Sequence, residues 1–148
     1  MPVRSSNAVW QGSLESGNGT IQLGSGAWEG QYSFSSRFAD GTGTNPEELI
    51  AAAEAGCFTM ALSANLTKAG YTVDELRSEA KTHIEKNDEG GWTSTRVALT
   101  TTAALSSNGE ASIEEADFQK IVQDTKATCP ISRALSGTEI TVDATIAN

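Results

Sequence analysis

The chain has 148 residues, 38% of them hydrophobic and only 6% aromatic, a size that suits one domain over residues 1–148. Its formal net charge of −9 repels a phosphate backbone, which excludes nucleic acid as an expected partner. Residues 1–10 hold no apolar run of signal-peptide length, and no stretch nears the ~18 consecutive apolar residues of a membrane span. A cytoplasmic protein with no membrane partner is expected. Disulfides do not persist there as staples, so the two cysteines need another explanation.

The first third is rich in Gly and Ser and reads as strands. Val9–Gly12 is a short first strand. Ile21 and Leu23 alternate in a second, after the Gly17-Asn18-Gly19 turn. Tyr32, Phe34 and Ser36 alternate in a third, with Arg37 at its end. A loop over Ala39–Thr44 then leads to a helix start. Asn45 can cap, Pro46 fits the first helical position, and Glu47 and Glu48 suit the positive end of the dipole.

The helix runs from there to about Lys68, and Gly70 ends it. Between Ile50 and Leu66 its only charge is Glu54. A helix so apolar is expected to be buried on several sides, at the centre of the fold. Two long strands follow, joined at Gly90-Gly91. Leu76, Ser78, Ala80, Thr82 and Ile84 alternate in one, and Val97, Leu99, Thr101, Ala103 and Leu105 in the other. A second helix over about Ile113–Lys126 comes next, then a helical turn opening at Thr128-Cys129-Pro130, then a strand over Ile140–Ile146. The order implies an α+β fold with antiparallel sheet and a long central helix. The low aromatic share is also consistent with a core completed by a second copy.

The cysteines, Cys57 and Cys129, admit three readings. A metal site needs about four ligands, and two Cys with one His cannot supply them unaided. Inert buried thiols pack as small hydrophobes. A redox pair is the third, and the context of each cysteine bears on it. Cys57 lies mid-helix after Gly56, and a helical Gly costs roughly 1 kcal/mol relative to Ala. Its presence implies that some group comes close to the backbone there. Apolar burial alone would silence the thiol, so reactivity demands a nearby cation. Arg37, flanked by Phe34 and Phe38, is the best candidate; a solvated surface arginine is the alternative. Cys129, before Pro130 at a helix start, is placed to attack or leave as thiolate.

These residues carry a resemblance. Ser36-Arg37-Phe38, with the run from Gly43 through Asn45-Pro46-Glu47-Glu48-Leu49-Ile50 to Cys57 and Ser63, resembles the first active-site block of the OsmC/Ohr family. The segment Lys126–Ser132 around Cys129-Pro130 resembles the second. The unbroken stretch from Arg37-Phe38 to Ile50 is similar to the OsmC branch. The resemblance implies an interwoven homodimer with two sites at its interface, no metal or flavin cofactor, and reduction of organic hydroperoxides. It casts Cys57 as the peroxidatic cysteine, Cys129 as its resolving partner in a disulfide, Arg37 as the thiolate's activator, and Glu47 as the carboxylate that orients Arg37. The implied reductant is a dithiol of the dihydrolipoyl kind. A non-catalytic redox sensor or adaptor using the same cysteines is the alternative.

Two expectations concern geometry. Members of the family it resembles often carry His or a bulkier residue where this chain has Glu54, three residues before Cys57. An ionised Glu54 would raise the Cys57 pKa, whereas one facing solvent would matter little. Glu47 and Cys57 lie ten residues apart on one predicted helix, roughly 15 Å along its axis. Glu47 is therefore expected to reach the thiol from a partner subunit, or the helix to break between them. His83 falls on the opposite strand face from Leu76 and Ile84 and reads as solvated. Trp10, Trp28 and Trp92 read as packing or rim residues. Gly41-Thr42-Gly43 lacks the lysine of a phosphate loop.

Overall fold

A computed structural model describes residues 1–106 and 112–147. The chain forms two compact units, Met1–Leu49 and Ile50–Asn148.

The first unit is an antiparallel meander of β1 (Ser6–Gln11), β2 (Asn18–Leu23) and β3 (Glu29–Ser33). Gly19 is needed where β2 pairs with β1, because a Cβ there would collide with the Val9 carbonyl oxygen and the Trp10 and Tyr32 rings. Trp10 and Tyr32 pack ring against ring at 5.2 Å, the packing role expected of Trp10.

The third strand is shorter than its alternation implies. The chain turns at Ser33 into a one-turn helix, α1 (Phe34–Phe38), so Arg37 sits on a helix and not at a strand end. A capping box causes this. Ser33 Oγ accepts from the Ser36 N–H at 3.2 Å, and Ser36 Oγ accepts from the Ser33 N–H at 2.8 Å. Two mutually satisfied backbone donors outweigh the period-two pattern of Tyr32, Phe34 and Ser36.

Helix α2 (Pro46–Lys68) is unbroken over 23 residues. Asn45 caps it as expected, its Oδ1 accepting from the Glu48 N–H at 2.8 Å. Gly70, at φ +96°, closes its C-terminus, where the Tyr71 N–H reaches the Leu66 carbonyl.

The second unit continues with β4 (Thr72–Lys86), β5 (Trp92–Ser106), α3 (Glu115–Thr128), α4 (Pro130–Ala134) and β6 (Glu139–Ile146). The sheet order is β4-β5-β6. β4 and β5 form the expected long hairpin, but β6 lies parallel to β5, so this sheet is mixed and not wholly antiparallel. Alternation marks a strand's faces but not its direction. The two helices between β5 and β6 provide the long crossover a parallel pair requires. His83 faces Arg96 across the hairpin, with Nε2 and Nη2 3.3 Å apart.

The core gathers Phe58, Leu62 and Leu66 of α2, Leu99 and Ala103 of β5, Phe118 and Val122 of α3, and Ala144 of β6. Glu54, Phe58, Leu62 and Leu66 recur every four residues, one stripe of the helix. Only this stripe is buried. Ala52, Ala53, Gly56 and Ala64 are exposed, and Met60 is 77% exposed. Burial on several sides, expected from composition, is not met among the described residues. By length and composition α2 also passes as long and apolar enough to cross a membrane, a property the count of consecutive apolar residues did not register.

Phe58 has no exposed surface. Phe58→Ala should destabilise the fold by about 3–5 kcal/mol, the range for removing a buried aromatic ring. The midpoint of urea unfolding, compared with wild type, measures it.

Candidate active site

The four residues singled out in the sequence meet as two pairs, one in each unit. In the first unit, Arg37 and Glu47 form a doubly bonded ion pair. Arg37 Nη2 donates to Glu47 Oε1 at 2.6 Å and Nε donates to Oε2 at 3.1 Å. Both residues are held by the local backbone. Ser36 Oγ donates to the Thr44 carbonyl at 2.7 Å, and Asn45 Nδ2 donates to the Ser36 carbonyl at 3.1 Å. The turn of α1 is thus tied to the residues that open α2. The Phe38 ring lies 4.9 Å under the guanidinium, and Phe34 packs on Phe38 at 5.1 Å. Arg37 borders a cavity of about 430 Å³ shared with Trp10, Leu14, Tyr32, Phe34 and Phe38.

In the second unit, Cys129 Sγ lies 2.6 Å from Cys57 Sγ. Both cysteines are free thiols; Cys129 is fully buried and Cys57 partly so. Cys57 comes from the middle of α2. Cys129 occupies the joint between α3 and α4: its N–H bonds back to the Thr125 carbonyl, and its own carbonyl accepts from the Arg133 N–H. Pro130 at the first position of α4 forces the chain to bend there. The joint is tied to α2 one turn earlier, where Asn65 Nδ2 donates to Thr125 Oγ1 at 2.8 Å.

Burial pushes the Cys57 thiol above its ordinary pKa. The Cys129 sulfur and the Glu54 carboxyl act in the same direction, while the Ile131 backbone N–H opposes them. No cation is among these groups. Glu54 does not face solvent: it has no exposed surface, and Ser132 Oγ donates to its Oε1 at 2.5 Å. Ser132 was not singled out from the sequence. Its signal was spacing, for it follows Cys129 by the three residues that separate Glu54 from Cys57. The close approach inferred at Gly56 is absent among the described residues, since a Cβ there meets nothing within 4 Å. A break in α2 is likewise ruled out, and Glu47 turns to Arg37 of its own chain, with 14% of its side chain exposed. Among the described residues, no three His, Cys, Asp or Glu side chains cluster as a metal site would need.

Residues 39–145 match the family model described as OsmC-like protein. The chain is 41% identical to Peroxiredoxin OsmC of Escherichia coli strain K12 over 137 residues, 92% of this chain and 91% of that one. The chain belongs to the OsmC-like family. Solved OsmC-like structures share its fold. One from Vibrio cholerae superposes with a TM-score of 0.79 at 19% identity, covering 98% of this chain and all of that one. An organic hydroperoxide resistance protein from Elizabethkingia anophelis gives 0.70 at 25% identity, covering 99% and 98%. The OsmC-like match spans Glu47, Cys57 and Cys129, and Arg37 stands just before it.

The sulfurs are already within about 0.6 Å of a disulfide's bond length of ~2.05 Å. Mild oxidation of the reduced protein by diamide should therefore close Cys57–Cys129 within one chain. Non-reducing mass spectrometry of tryptic fragments should recover the two cysteine peptides joined, with no disulfide between chains.

Proposed function

We propose that this OsmC-like chain is a thiol peroxidase that reduces organic hydroperoxides to alcohols in the cytoplasm. One observation carries the reading: two free thiols, 72 residues apart in sequence, meet at 2.6 Å. Identity to a peroxiredoxin supports it.

The Cys57 thiolate attacks the distal peroxide oxygen, giving a sulfenic acid, and the alkoxide leaves as alcohol after taking a proton. The Cys129 thiol then displaces the hydroxyl, forming the disulfide and water. A dithiol of the dihydrolipoyl type restores both thiols by exchange and leaves as its own disulfide.

Within its own chain the Cys57 thiol is pushed up, and the cation that would bring it down is Arg37. Ten residues of unbroken helix separate Glu47 from Cys57, a rise of roughly 15 Å. Arg37 is therefore assigned to the thiol of a second copy. The chain works as a homodimer, with the exposed face of α2 around Gly56 and Met60 covered by the partner. Glu47 holds the Nε–Nη2 edge of Arg37, which leaves the Nη1 edge to donate to thiolate and peroxide. The aromatic cavity beside Arg37 suits the organic group of the substrate.

Cys57→Ser should abolish consumption of cumene hydroperoxide in the presence of a dithiol, and Cys129→Ser should give roughly one turnover before Cys57 over-oxidises. Peroxide consumption by the Cys57→Ser protein would sink the assignment. Arg37→Met should move the pH midpoint of Cys57 alkylation upward, because loss of a cation destabilises the thiolate. Arg37→Met and Cys57→Ser proteins, each inactive, should recover about a quarter of wild-type activity when mixed and reassorted, if each site combines residues of two chains.

A further inference from the structure

Glu54 and Ser132 stand beside the cysteine pair in a repeated geometry. Glu54 precedes Cys57 by three residues on α2, and Ser132 follows Cys129 by three residues in α4. Residues at that spacing are neighbours on a helix face. The α3–α4 joint therefore meets α2 at two adjacent rungs, one of sulfur on sulfur and one of hydroxyl on carboxyl. The second rung is buried, with Glu54 at 0% and Ser132 at 7% exposure. Its other carboxyl oxygen, Oε2, is buried without a hydrogen-bond partner among the described residues.

A buried carboxyl with one donor is an expensive way to fill space, and an apolar side chain would pack there at lower cost. What the polar rung adds is direction: a hydroxyl-to-carboxyl bond fixes one register where apolar contact tolerates several. α4 has need of it. The helix is only five residues long, and Pro130 brings no N–H to its first turn. Upstream, Asn65–Thr125 anchors α3. Downstream of Cys129, the described hydrogen bond from an α4 side chain to α2 is Ser132–Glu54.

We propose that Glu54 and Ser132 are a positioning pair, holding Cys129 against Cys57 so that disulfide closure outruns further oxidation of the Cys57 sulfenic acid. This rests on the peroxidase reading above. The favoured step joins Cys129–SH and Cys57–SOH into the disulfide with release of water. The competing step consumes a second hydroperoxide, converting Cys57–SOH to the sulfinic acid and the hydroperoxide to its alcohol.

Glu54→Ala, Glu54→Gln, Ser132→Ala and the Glu54→Ala/Ser132→Ala double variant test it, each first checked for wild-type circular dichroism. Reduced protein is exposed to excess cumene hydroperoxide, and the ratio of sulfinic acid to disulfide is read by mass spectrometry. Glu54→Ala and Ser132→Ala should each raise that ratio about tenfold or more, the scale on which a misplaced reacting group loses rate. Glu54→Gln, whose amide oxygen still accepts from Ser132, should stay near wild type. The double variant should be no worse than either single variant, because both remove one bond. Additive single effects, no effect in Ser132→Ala, or Glu54→Gln as impaired as Glu54→Ala would each overturn the proposal. Equilibration of the Cys57–Cys129 disulfide with glutathione, which involves no peroxide, keeps this separate from the peroxidase reading. Closure should weaken in the two alanine variants and hold in Glu54→Gln. An inactive wild type with this pattern would sink the peroxidase alone, whereas closure unchanged in all variants would sink the positioning pair.

Discussion

The proposed chemistry depends on pressing the joint of two helices against the middle of a third. Cys129 has no freedom to search for Cys57: it is fully buried, and its backbone both ends α3 and begins α4. The apolar packing of Phe58, Leu62 and Leu66 against Phe118 and Val122 brings the helices together. At about 25 cal/mol per Å² of apolar surface, such a core supplies the large, undirected part of the stabilisation. The directed part comes from a few polar ties, Asn65–Thr125 and Glu54–Ser132, which set the register in which the sulfurs meet.

That packing has an electrostatic consequence. Burial is the leading cause of the raised Cys57 pKa, and the groups nearest in its own chain, a second thiol and a carboxyl, do not reverse it. The fold that aligns the sulfurs thus disfavours the Cys57 thiolate that the proposed reaction needs. In the proposed function the first unit, of a second copy, meets the complementary requirement. Arg37 is held in a doubly bonded pair with Glu47 and rests on Phe38, so its guanidinium is oriented before any substrate arrives. A cation fixed in this way loses little conformational entropy on meeting an anion, which is the advantage of preorganised electrostatics.

Much of this was legible in the sequence, for identifiable reasons. Asn45-Pro46-Glu47-Glu48 marks the start of α2 because capping chemistry is local, and Gly70 marks its end for the same reason. Cys57 and Cys129 stood out because few residue types carry thiol chemistry, and the fold brings their sulfurs together. Other features were hidden. The capping box of Ser33 and Ser36 lay inside an apparently alternating strand, and it moved Arg37 onto a helix. The direction of β6 is set by the path through α3 and α4, which alternation does not encode. The buried Glu54 accepts from Ser132, 78 residues away, and neither residue alone announces the other.

The apolar character of α2 exceeds what its own unit buries. Length and composition alone would let it cross a membrane. Its residues divide the helix differently. One stripe, Glu54, Phe58, Leu62 and Leu66, is committed to the core of its own unit, and Thr59 and Asn65 extend hydrogen bonds to Ser78 and Thr125. The exposed face carries mostly small residues, Ala52, Ala53, Gly56 and Ala64, around one long flexible side chain, Met60. A face of small residues lets another backbone approach closely, and methionine adapts to fill what gap remains. Gly56, where an added Cβ meets nothing within 4 Å among the described residues, is adjacent to Cys57. A second copy seated there would meet the helix beside the thiol, where the cation is required. In the proposed homodimer, closing the apolar face and completing the electrostatics of the sulfur would be one event, and it would account for a glycine tolerated in mid-helix at roughly 1 kcal/mol relative to Ala.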